Sequence, residues 1–202
     1  MDTKERGAYF GPILVSFALI GLLGGCGREA SITAVDGDFE IFESIEALAR
    51  EADSVVVGTI GEILLRKVNP SGGLPHIYLE LIVDNVFLGP ERTGQKITID
   101  MLDADSIDFE QVTPLRNGDA VVLFLDRITA DEGPSGVVPF NVVYVPLSLD
   151  NGVMDVSGDH AVSRSDDLVA VRDEDVAAGR ENPTGDGRFI IRLEELSEVL
   201  PR

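Results

Sequence analysis

Between His76 and Leu88 apolar and polar side chains alternate, with Ile77, Leu79, Leu81 and Val83 on one side and Tyr78, Glu80, Ile82 and Asp84 on the other. A period of two belongs to a strand with one buried face. After Asp84-Asn85 the apolar positions slip by one, to Val86 and Leu88, as a β-bulge with one extra residue requires. A long strand bent by a bulge coils, and coiling closes a small sheet into a barrel. Gly89-Pro90 ends the run.

The neighbouring segments agree with this reading. Ser44 is placed to cap a short helix in which Ile45, Leu48 and Ala49 share a face. Ser54 to Ile60 reads as a buried strand that continues past Gly61 to Lys67, and Asn69 to Gly73 as a loop. Ile97, Ile99 and Met101 alternate with Lys96, Thr98 and Asp100. The turn Asn117-Gly118-Asp119 leads into Ala120 to Leu125, apolar on both faces and therefore central. Asp131 to Gly136 is a further loop. Phe140 to Leu147 and Gly152 to Val156 predict two strands joined by an Asp150-Asn151-Gly152 hairpin turn. An acidic excursion over 164–187 precedes Phe189-Ile190-Ile191 and a last helix, with Leu193, Leu196, Val199 and Leu200 facing inward.

Five or six short strands with a helix at each end predict a mainly β fold. The expected architecture is a small closed or partly open OB-like barrel, forming a single domain over 43–202. Ala52-Asp53-Ser54-Val55-Val56-Val57-Gly58-Thr59, Val86-Phe87-Leu88-Gly89, Leu115-Arg116-Asn117-Gly118-Asp119 and Val122-Leu123-Phe124-Leu125 together resemble a group of uncharacterised exported bacterial domains. That likeness spans roughly Ser44 to Pro146. It implies the OB-like fold and no particular activity.

Ala8 to Gly25 is a run of eighteen uncharged residues that ends in small ones, the layout of a secretory signal. Leu23-Gly24-Gly25-Cys26 resembles the lipobox of bacterial lipoproteins. The resemblance implies cleavage after residue 25, a diacylglyceryl thioether on Cys26 and an amine open to acylation with palmitate. It also implies outward travel to the outer membrane or cell surface, since Gly27 stands where aspartate marks inner-membrane retention. A competing reading of 1–25 is an uncleaved membrane-spanning helix. Eighteen residues lie near the low end of the roughly 17–25 required, and six glycines and prolines fall within 7–25. Cys26 is the only cysteine, so no disulfide is available to an exported domain, and lipidation gives the thiol a use. Gly27 to Asp38 contains few large apolar side chains, and 26–42 reads as a tether.

The formal charge of −20 falls wholly after residue 25, where 177 residues suffice for one well-buried domain. Such a surface repels nucleic acid. Aspartate exceeds glutamate, and three lysines stand against thirteen arginines, a bias shared by saline habitats and GC-rich genomes.

Catalytic motifs are missing. His76 and His160 are the only histidines, no G-x-S-x-G occurs, and Gly72-Gly73 lacks the lysine of a phosphate loop. No enzyme is expected and no cofactor is required. Calcium is the one candidate ligand: Asp103, Asp105, Asp108 and Glu110 place four carboxylates in eight residues, and calcium takes six to eight oxygens. The EF-hand register fails at Ile107. On an OB-like barrel one face and two loops form the natural ligand site. Here it carries Tyr78, Glu80, Thr98 and Asp100, which suit an envelope protein or glycan better than an anion, and Tyr78 and Tyr144 are candidate contacts. The functional expectation is a lipid-anchored extracytoplasmic binding or scaffolding module. A calcium-dependent surface or adhesion module is one alternative. A hydrolase joining His160, Asp159 and a serine is another.

Overall fold

A computed structural model describes residues 33–34, 42, 44–67, 73–109, 112–130, 139–165 and 188–200, with backbone only at 33, 34 and 108. Ile32–Arg202 is one compact unit. Residues 1–25, read above as a signal, Cys26, most of the stretch read as a tether, Glu110 and 166–187 lie outside the described residues. No helix among those described is long and apolar enough to cross a membrane.

Five strands close on themselves: β2 (Ser54–Lys67), β3 (His76–Leu88), β4 (Lys96–Leu102), β6 (Ala120–Thr129) and β7 (Val142–Pro146). β3 pairs antiparallel with both β2 and β4. β4 meets β7 in parallel at Ile99–Tyr144, β7 runs antiparallel to the end of β6, and the start of β6 returns to β2. The ring order β2-β3-β4-β7-β6 is that of a five-stranded Greek-key barrel, the OB-like fold anticipated above.

The bulge expected at Asp84-Asn85 is present. Val57 pairs with Asn85 and Gly58 with Val83, which leaves Asp84 as the extra residue. Gly58 allows the sharp coil there. A methyl group in its place would stand 2.5 Å from the Ile82 carbonyl oxygen and 3.0 Å from Leu81 Cδ1. Gly58→Ala should therefore lower stability by about 1–3 kcal/mol, the usual cost of overpacking. The urea midpoint measures this, and an unchanged midpoint would mean that the two strands separate freely.

Side chains of β2 and β6 alternate between two cores, which is why Val55–Val57 and Val121–Leu125 are apolar on both faces. Val56, Ile60, Val121, Leu123 and Leu125 fill the barrel with Leu81 and Ile99. Val55, Val57, Val122 and Phe124 face the other way. They meet α1 (Ile45–Glu51) through Ile45 and Leu48, and α2 (Leu193–Val199) through Leu196. Ser44 caps α1 as expected, its hydroxyl accepting from the Ala47 amide at 3.1 Å. At the far end the Asp53 amide donates to the Leu125 carbonyl, and the chain enters the sheet.

Three features differ from the sequence reading. β8 (Val153–Ser157) does not form a hairpin with β7. Both strands lie end to end along the same edge of β6, opposite β2. The connection is a 3-10 turn at Leu149–Gly152, entered through Ser148 and Leu149 at φ 51° and 58°. The chain keeps its direction, so the Asn-Gly pair serves a jog rather than a reversal. Second, β9 (His160–Ser163) and β10 (Ile190–Arg192) extend the sheet beyond β8. Third, within the stretch read as a tether, β1 (Thr33–Ala34) pairs in parallel with β5 (Ile107–Asp108).

Candidate functional site

The barrel mouth is where the longest strands end and where charge is concentrated. Arg66, near the end of β2, donates through Nη1 to both oxygens of Asp103 at 2.5 and 2.6 Å, and through Nη2 to Asp105 at 3.0 Å. Arg116 grips Asp105 from the other side at 2.9 and 3.1 Å. The Ser106 hydroxyl donates to Asp103 at 3.0 Å. The result is an alternating chain, Asp103–Arg66–Asp105–Arg116, laid across the rim. Below it lies a cavity of about 10 Å³, the size of one water molecule, lined by Ile77, Leu79, Met101 and Leu115.

This arrangement gives two of the predicted calcium ligands another use. Asp103 and Asp105 are brought together by two guanidinium groups, which take the oxygens a cation would need and supply positive charge of their own. The side chain of Asp108 and all of Glu110 lie outside the described residues. Among the described residues no group of three or more His, Cys, Asp or Glu side chains is arranged to hold a metal.

A second polar cluster fastens the mouth to the outer sheet. Asp150, buried in the 3-10 turn, accepts from the Thr113 amide at 2.8 and 2.9 Å and from its hydroxyl at 2.5 Å. Arg164 donates to the Thr113 carbonyl at 3.2 Å and to Asp155 at 2.6 and 2.9 Å.

The acids at the mouth titrate in opposite senses. Arg116, and then Arg66, hold the Asp105 carboxyl down at about 2. Burial raises that of Asp150, only partly offset by Thr113. Asp105 therefore adds stability above the ordinary carboxylate value of 3.8 and loses it as pH falls toward 2. Asp150 does the reverse: its contribution is full below 3.8 and is lost as pH rises through its elevated folded value. Asp150→Asn should steepen the acid limb of a melting-temperature profile taken from about pH 2 to about pH 6, and Asp105→Asn should flatten it. Parallel profiles for the two variants would rule this out. The Asp105 effect is modest, because its side chain is 38% exposed and screened by solvent.

The outer face of β3 and β4 differs from its sequence picture in one respect. Tyr78 lies on it but is only 2% exposed, with Phe140 packed across it at a ring-centroid distance of 5.4 Å. Burial, and then Asp100, push its phenol well above the ordinary tyrosine range. Asp100 also meets His76 Nδ1 at 2.7 Å, and Lys96 pairs with Glu80 at 3.0 Å. Tyr144 points into the barrel core, its phenol pushed up to about 12 by burial and by the neighbouring Glu91 carboxylate. Neither tyrosine is offered to a ligand. His160 pairs with Asp159 at 2.6 Å on the β8–β9 turn, where Asp159 is 79% exposed.

Sequence reasoning missed three things. Arg164 belongs to the packed sheet rather than to the acidic excursion, its side chain only 7% exposed. At the opposite end of the barrel Glu91 and Ser54 are buried, the Glu91 carboxylate beside the Tyr144 phenol, and the Ser54 hydroxyl has no hydrogen-bond partner among the described residues. Both crowd Gly89, whose φ of +114° and lack of a side chain make room for them. Third, Ile63, Leu64 and Leu65 near the end of β2 are exposed by 50, 43 and 37%. The apolar triplet was visible in the sequence, but the bulges that turn it outward were not. No protein-family model matches the chain, and comparison with curated proteins likewise finds no match.

Proposed function

We propose that the protein is a lipid-anchored extracytoplasmic module that binds or scaffolds a partner protein at the bacterial cell envelope. The observation that carries this reading is Leu23-Gly24-Gly25-Cys26, an apolar run closed by two small residues and the sole cysteine. The fold is compatible with it. The OB-like barrel closes around its own apolar core and carries two helices on one side, so the sole cysteine is left for the lipid. A protein partner fits the surface better than a glycan, because the two tyrosines available for stacking on a sugar, Tyr78 and Tyr144, are 2 and 5% exposed. Nucleic acid is disfavoured by the charge of −20.

Expression in a bacterial host beside Cys26→Ala tests the anchor. Intact mass should show a chain beginning at an acylated Cys26 in the membrane fraction, and the alanine variant should lose both acylation and cleavage. A membrane-bound chain that retains residues 1–25 without lipid would replace the lipid by a helical anchor.

A further inference from the structure

We propose that the end of β2 at Ile63-Leu64-Leu65 rests in the interfacial layer of the bilayer that holds the chain's own anchor, an inference that builds on the lipid-anchored reading above. Three consecutive aliphatic side chains are exposed on a strand, where alternation would normally hide every second one. The register explains it. Ile60 pairs with Leu81, Ile63 with Leu79 and Leu65 with Tyr78, so β2 carries two extra residues over this short stretch and its alternation is broken. The pairing of β2 with β6 has by then ended, at Thr59–Ala120. Apolar groups therefore emerge on more than one side of the same strand end. A folded partner covers one side, whereas the headgroup layer of a bilayer surrounds whatever enters it.

The tether reaches the same end of the barrel. Arg66, directly after the triplet, is bound to Asp105 at 3.0 Å. Asp105 is two residues from Ile107, which pairs with Thr33 across β1 and β5. Thr33 is seven residues from Cys26, a span of about 25 Å at full extension. The mouth is thus held within a short reach of the lipid, and the apolar tip is beside it. Charge favours the same orientation. The triplet itself is uncharged, and behind it Arg66 and Arg116 balance Asp103 and Asp105, while the chain as a whole carries −20 and keeps its other surfaces away from anionic headgroups. That repulsion also weighs against a second copy as the occupant.

The chain has no tryptophan, so Leu64→Trp supplies a single emitter at an exposed position that tolerates it. The acylated product beginning at Cys26 is placed on phosphatidylcholine vesicles with and without brominated acyl chains, beside a Glu198→Trp control on α2. Emission from Leu64→Trp should move to shorter wavelength on the vesicles and be quenched by the brominated chains, with the control unaffected. Unquenched, water-like emission from a protein that floats with the vesicles would overturn the inference and leave the anchor intact. So would a blue shift that grows with protein concentration in the absence of vesicles, which would assign the tip to a second copy. Failure of the anchor itself shows separately, as an unmodified mass and no flotation, and removes the inference with it.

Discussion

Phe124→Ala should lower the stability of the domain by about 3–5 kcal/mol, the range for deleting a buried aromatic side chain. Phe124 is fully buried on the face of β6 that meets the two helices. Its neighbour Leu123, equally buried, faces the barrel interior, and Leu123→Ala should cost about 2–5 kcal/mol. Because one strand feeds both cores, each variant should shift a single unfolding transition without splitting it. Denaturant unfolding followed by far-UV circular dichroism distinguishes the cases. Two transitions in Phe124→Ala would mean that the helices dock on a barrel that is stable without them. A loss below about 1 kcal/mol would remove the helix-side core from the cooperative unit.

The sequence revealed β2, β3, β4 and β6 because hydrophobic periodicity is a local property, and it placed the bulge near Asp84 for the same reason. It also located α1 from Ser44 and the inward stripe of the last helix. What it could not show depends on distance along the chain. Asp103 and Asp105 look like metal ligands when only their neighbours are read, since the segment 103–110 contains no positive charge. Arg66 arrives from 37 residues away, and Arg116 from the loop beyond. Likewise, alternation put Tyr78 on the outer face but could not show that Phe140 folds over it. The Asn-Gly turn misled because turn chemistry reports a local bend, whereas the direction of β8 is set by the free edge of β6.

Asp155→Ala should cost about 3 kcal/mol, near the lower end of the range for stripping one partner from a buried pair. The Arg164 side chain is only 7% exposed, and both of its close charge-assisted bonds go to Asp155 Oδ1. Without that carboxylate the guanidinium keeps the Thr113 carbonyl at 3.2 Å and Asp119 at 3.8 Å, too little to replace the water it gave up on burial. The pair is asymmetric, since Asp155 is 48% exposed and regains solvent easily if the arginine is removed. Arg164→Met should therefore be milder than Asp155→Ala, and the double variant Asp155→Ala/Arg164→Met milder than Asp155→Ala alone. That order, read from denaturant midpoints, is specific to a buried cation. An additive double variant would show that Arg164 acts through packing of its stem. Through Thr113, which Asp150 also holds, the same arginine links the outer sheet to the barrel mouth. Loss of Asp155 should accordingly raise amide hydrogen exchange at 112–116 as well as within β8 and β9.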